Sequence, residues 1–174
     1  MSFERSVFIN CPFDKDYWNL FRPMVFTTLR LGCNPRYSLE RADSSEARIG
    51  KITTIIGQCK FGIHDLSRCQ AKQEGEFFRL NMPLELGLDL GAKTYGSKKL
   101  KQKKILILEE EKYRFQTAIS DISNSDIMAH AKDPDQLVRI VRNWLVQEAG
   151  IPPLSPTKIW YEFNECLGDI HDQL

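Results

Sequence analysis

Ala47–Ser67, ARIGKITTIIGQCKFGIHDLS, carries two structural periods in one stretch. Over residues 45 to 59, Ile49, Ile52, Ile55 and Ile56 recur at helical spacing. Residues 60 to 67, KFGIHDLS, then form a short apolar run that ends on Asp65 and Ser67. An amphipathic helix feeding a buried strand is half of a βαβ unit, and the same alternation extends in both directions. Upstream, SVFINC at 6 to 11 predicts a first strand that stops at Pro12. Trp18, Phe21, Val25 and Leu29 predict a helix that ends at Gly32, with Pro23 kinking it or marking its first turn. PRYSLE at 35 to 40 predicts a second strand, and Asp43 or Ser44 is expected to cap the helix after it.

Downstream, a polar linker at 68 to 76 precedes a helix that begins near Asn81, keeps Leu84, Leu88 and Ala92 in period, and stops at Gly96. SKKLKQKK at 97 to 104 predicts a solvated basic loop before the buried strand ILIL at 105 to 108. A helix near 115 to 123, a short strand at 127 to 130, a helix at 134 to 148 and a last helix at 157 to 170 complete the pattern. The expected fold is a three-layer α/β domain, flavodoxin-like, with an open sheet of about five mostly parallel strands and helices on both faces. The domain is expected to span 1–150, with a C-terminal helix at 151–174 packing on it or on a partner.

With 174 residues the chain has room for one core, and 24 Lys plus Arg against 23 Asp plus Glu give a net charge of +1. That balance makes no strong case for nucleic acid or an anionic membrane. No apolar stretch approaches the ~20 residues of a membrane span, and the reading is a cytoplasmic protein with no signal peptide. Cys11, Cys33, Cys59, Cys69 and Cys166 show no C-x-x-C spacing and read as idle thiols, with no metal implied. GxGxxG and GxxxxGK[ST] are both absent, which lowers hydride transfer and ATP hydrolysis. His64, His130 and His171 are too scattered for sequence to nominate one.

In open parallel sheets ligands bind at the carboxyl ends of the strands. That rule selects the loops at 10 to 14, 40 to 46 and 65 to 68, together with the start of the helix near Asn81. Within this helix Glu85 stands between Leu84 and Leu86, in what the sequence reads as the first turn, with Gly87 beside it. A carboxylate there stabilises or attacks an oxocarbenium-like sugar centre, or else it merely caps the helix.

Asn81–Gly91, NMPLELGLDLG, resembles the N-x-x-x-E-[LI]-G-x-x-x-G pattern of bacterial TIR-like nucleotide-binding domains and, more distantly, of nucleoside 2-deoxyribosyltransferases. SVFINCPFD and ARIGKITTIIGQCKFGIHDLS resemble the first strand and loop, and the helix and strand, that precede it in those families. The resemblance implies Glu85 as the catalytic residue, Asn81 as a sugar or backbone contact, and Asp65 as the substrate-binding acid at a strand end. By the same resemblance Asn10, Phe13, Asp43 and Ser67 fall in loops that would hold the rest of a nucleotide.

By this resemblance the chain is expected to hydrolyse an N-glycosidic bond, with NAD or another nucleotide as substrate and no cofactor. A homo-oligomer or a regulatory partner protein would control it, as in bacterial antiviral defence. A deoxyribosyltransferase-like enzyme that uses Asp65 as an acid, and a non-catalytic nucleotide-binding or assembly module, are the alternatives.

Overall fold

Strands buried on both faces must carry apolar residues at successive positions, and β1 (Ser6–Asn10) and β3 (Phe61–Asp65) are buried along their whole length. With β2 (Asn34–Arg36), β4 (Lys104–Glu109) and β5 (Ile127–Ala129) they form one parallel sheet of order β2-β1-β3-β4-β5. The computed structural model describes residues 2–40, 45–68, 71, 74–75, 80–122 and 125–172. The expected three-layer α/β fold is the one observed.

The helices α1 (Trp18–Arg30) and α4 (Pro134–Ala149) cover one face. Leu20, Met24, Leu137, Val141 and Leu145 pack there on Val7, Ile9, Phe61 and Ile63. The opposite face carries α2 (Arg48–Gln58) and α3 (Asn81–Tyr95). Ile52, Ile55 and Ile56 meet Phe8, while Met82 and Leu86 meet Ile107. The last helix, α5 (Pro156–Asp172), lies against α1 and α4; Ile159 is fully buried and Phe163 packs at a tilt beside Phe26, with ring centres 5.5 Å apart. Among the described residues no helix is long and apolar enough to cross a membrane.

Five local readings change. The second strand covers only Asn34–Arg36, because the Arg36 guanidinium turns back to the Glu40 carboxylate and Glu40 N–H bonds the Tyr37 carbonyl, 3.1 Å away. Two short 3-10 turns, Arg114–Thr117 and Ser120–Ile122, replace the helix expected at 115 to 123. Arg114 there is drawn inward to Glu109 and the Ser67 carbonyl.

On α1 the buried stripe is Leu20, Met24, Thr27 and Thr28, one position off the expected one, and Trp18 and Leu29 are exposed. This helix is covered by the sheet on one side and by α4 and α5 on another, so its apolar residues spread around it. On α2, Ile49 is exposed and lies off the buried face of Ile52, Ile55 and Ile56. Finally, Lys103 of the expected solvated loop is fully buried. The caps expected at Asp43 and Ser44 lie outside the described residues.

Candidate functional site

Parallel pairing sets Asn10 beside His64 and Asp65 beside Leu108, so the carboxyl ends of β1, β3 and β4 form one edge. Side chains alternate across a strand, which sends His64 toward α3 and Asp65 toward α1. The edge therefore carries two polar clusters, one on each face of the sheet.

On the α2/α3 face, Glu85 is one of the four buried residues of α3, with Met82, Leu86 and Asp89. The helix begins at Asn81, so Glu85 opens its second turn instead of lying in the first. Pro83 causes no break, since at the third position its missing N–H is one the helix leaves unpaired anyway. A capping role therefore lapses. Among the described residues no hydrogen bond reaches the Glu85 carboxylate, and it is 5% exposed. Burial pushes its pKa up to about 7 against the opposing pull of Arg48 at the start of α2.

Cys11, in the loop after β1, packs with the α1/α4 core, and its thiol is held well above its ordinary value by burial and by the nearby Asp65, Glu85 and Asp14 charges. Cys11 therefore stays a protonated thiol, a poor nucleophile. Cys59 is likewise pushed up to about 12, chiefly by burial.

Asn10 is buried, and its amide donates both to the Met82 carbonyl, 2.9 Å away, and to His64 Nδ1, at 3.0 Å. This network assigns the remaining ring proton to Nε2, which donates to Asp89 at 2.9 Å. Asp89 also pairs with Lys103 at 3.1 Å. Phe13 is half-buried in an aromatic group with Phe21 and Tyr37, at centroid distances of 5.3 and 6.2 Å. Asn81 is exposed at the first position of α3, and Asp43 lies outside the described residues.

On the α1/α4 face, Asp65 is fully buried and surrounded by donors. Oδ2 accepts from the Tyr17 hydroxyl and from His130 Nε2, and Oδ1 accepts from the Ser67 N–H at 2.8 Å. Burial alone would raise this carboxyl, but the bond and pull of His130, with the bonds from Ser67 and Tyr17, hold it below the ordinary value. Asp65 is thus an ionised anchor for its loop, not a proton donor at neutral pH.

Ser67 Oγ lies 3.1 Å from His130 Nε2. Because Lys132 N–H donates to His130 Nδ1, the ring proton sits on Nε2. That nitrogen cannot also accept the Ser67 proton, so Ser67, His130 and Asp65 do not form a serine-nucleophile triad. A cavity of about 250 Å3 lies over this cluster, bordered by Tyr17, Ser67, Arg68, Glu110, His130 and Lys132. A larger hollow of about 660 Å3, beside β5 and Trp144, includes neither carboxylate. Among the described residues no three His, Cys, Asp or Glu side chains converge as a metal site would need.

Of the residues selected from the sequence, the structure brings Glu85 and Asn10 to one face and Asp65 and Ser67 to the other. Sequence reasoning missed Tyr17, Asp89 and Lys103, and passed over His64 and His130. A detectable signal existed for Asp89, an acid one helical turn after Glu85 in the apolar run of α3. No family model and no curated protein matches the chain.

Proposed function

We propose that the chain hydrolyses the N-glycosidic bond of a nucleotide, NAD or NADP, with Glu85 as the catalytic residue. The observation that carries the reading is a glutamate only 5% exposed, raised to about 7 by its burial, at the ligand edge of an open parallel sheet. Such a group is tuned for charge that arrives with the substrate. The nicotinamide ring of NAD is cationic; beside Glu85 it supplies the missing countercharge, and the carboxyl ionises.

The bond from C1′ to the ring nitrogen then breaks, and its electron pair neutralises the nicotinamide. Glu85 stabilises the ribosyl cation left behind, and water adds its oxygen to C1′ and releases a proton. The leaving group needs no acid, in keeping with an Asp65 held ionised. Asn81, at the first position of α3, offers a polar contact for the sugar, and Phe13, packed with Phe21 and Tyr37 on the α1/α4 side, lies in the loop that would hold the rest of the nucleotide. Self-assembly or a partner protein regulates turnover in this reading.

Pure protein incubated with NAD, NADP and a panel of nucleosides and deoxynucleosides, with base release followed by chromatography, tests the assignment. Nicotinamide release is expected, falling at least about 10³-fold in Glu85→Gln. Release that grows faster than linearly with protein concentration would mark assembly control. Cleavage by Glu85→Gln at the parent rate, or release from deoxynucleosides alone, overturns it. In the parent, kcat/KM is expected to rise with pH through about 7, because the ionised carboxylate is the working form. Were Glu85 the proton donor to a neutral base, the profile would fall through the same range.

A further inference from the structure

Glu85 stands between two points at which the sheet grips α3. Three residues before it the Met82 carbonyl accepts from Asn10, and four residues after it Asp89 receives His64 and Lys103. The two grips are one chain, since the same Asn10 amide also donates to His64. Its far end is fixed by Lys103, whose ammonium donates to the Ile56 carbonyl at 2.9 Å and to that of Cys59, at the end of α2. Asn10 is 2% exposed, and His64, Asp89 and Lys103 are fully buried.

Burying an ion pair and a histidine is a poor way to gain stability, because well-packed apolar side chains do as well or better. Hydrogen bonds are directional where apolar contacts are not, so a chain of them sets a helix's height and rotation. The backbone makes room for it: a methyl group at Gly62 of β3 would overlap Asp89 Oδ2 and crowd His64 Nε2. Met82, Glu85 and Asp89 share one face of α3 at i, i+3 and i+7, so whatever fixes the outer two also fixes the middle one.

We propose that Asn10, His64, Asp89 and Lys103 form a positioning chain that seats α3 and so holds the Glu85 carboxyl at the ligand edge of the sheet. The inference rests on the reading of Glu85 as the working group and names the residues that place it. None of the four touches the reacting atoms; they act through the helix.

The test is an NMR titration of the Glu85 side-chain carboxyl in 13C-glutamate-labelled protein, run beside nicotinamide release. The charged group that acts on Glu85 is Arg48 at the start of α2, and Glu85 in turn raises the Cys11 thiol; Asn10→Ala replaces neither. This variant is expected to move the Glu85 midpoint from about 7 by about one unit toward the ordinary glutamate value, as water reaches a loosened seat. It is also expected to lower kcat by more than about tenfold while KM stays within about threefold. Leu145→Ala, a core truncation on the opposite face, should lower Tm yet leave the midpoint in place.

If Asn10→Ala does not fold, Asn10→Ser, polar but too short to reach Met82, carries the same expectation. A midpoint unmoved in a folded Asn10 variant, with only Tm lowered, overturns the chain as a positioning device. The titration needs no turnover, so a protein that cleaves nothing can still show the midpoint shift. Conversely, an active enzyme with an unmoved midpoint loses only this inference.

Discussion

Glu85 and Asp65 are both buried acids at the carboxyl edge of one sheet, a few residues from the same loop, yet their carboxyls are shifted in opposite directions. Asp65, the more deeply buried, is held ionised because Tyr17, His130 and the Ser67 N–H all donate to it. Glu85 has only the opposing pull of Arg48 and rises to about 7. Burial is common to both, so the donors decide the charge. One face of the edge is thus built to be stable with its charge in place, and the other to be incomplete until something arrives. In the proposed reading the α2/α3 face is the working one.

The largest effect on folding is expected at Asp65. In Asp65→Asn the three donors lose an ionised acceptor and one of them faces an N–H2 group, which should destabilise the fold by about 3 kcal/mol at pH 7 in urea unfolding. The sign with pH follows from the lowered native value. The contribution is present above the unfolded value of 3.8 and disappears as pH falls through the native one, so parent and variant should converge in acid. A loss that stayed constant down to low pH would mean that packing, not charge, holds this face.

At Glu85 the sign is reversed. Between its ordinary value of 4.5 and about 7, the native state keeps a proton that the unfolded chain has released, so the parent loses stability as pH rises. Glu85→Gln carries no charge to bury. It should match the parent near pH 4.5 and exceed it by about 2 kcal/mol at pH 8.5, a value below the full pKa conversion because solvent reaches part of the group. Stability curves of the two proteins measured in parallel across that range decide the point, and equal stability at both ends would erase the contrast between the faces. The gain in stability would accompany a loss of turnover, as at sites kept strained for function.

Glu85 was legible in the sequence because an acid flanked by leucines in a helix at the ligand edge is already out of place. The alternation of elements was legible too, since parallel strands and their helices write their burial into the spacing of isoleucine, leucine and phenylalanine. The opposed states of the two acids were not legible. They depend on the burial of Glu85 near Arg48 of α2 and on Asp65 meeting His130, 65 positions away, contacts made by strand order and register that no local spacing encodes. Lys103 was hidden for the same reason: inside a basic run it looks like its exposed neighbours, and only the end of α2 and Asp89 single it out. The short β2 and the 3-10 turns after β4 escaped because Arg36 and Arg114 bend the chain toward distant acids, overriding weak local propensity.

The partnered face also carries visible backbone strain, and this supplies the smallest expected effect. Ala131 and Lys132 follow His130 with φ of 52° and 58°, a left-handed pair closed by Asp133 N–H on the His130 carbonyl at 2.8 Å. Two such residues form the tight turn that usually selects glycine or asparagine. The turn brings the Lys132 N–H onto His130 Nδ1 and so aims Nε2 at Asp65. Ala131→Gly would relieve about 1 kcal/mol of conformational strain and give back part of it as chain entropy. The expected net gain of about 0.5 kcal/mol corresponds to a rise in Tm of roughly 1 to 2 °C. Because the strain lies on the α1/α4 face, nicotinamide release should be unchanged; a change of more than about twofold would show that the two faces are coupled through the loop between them.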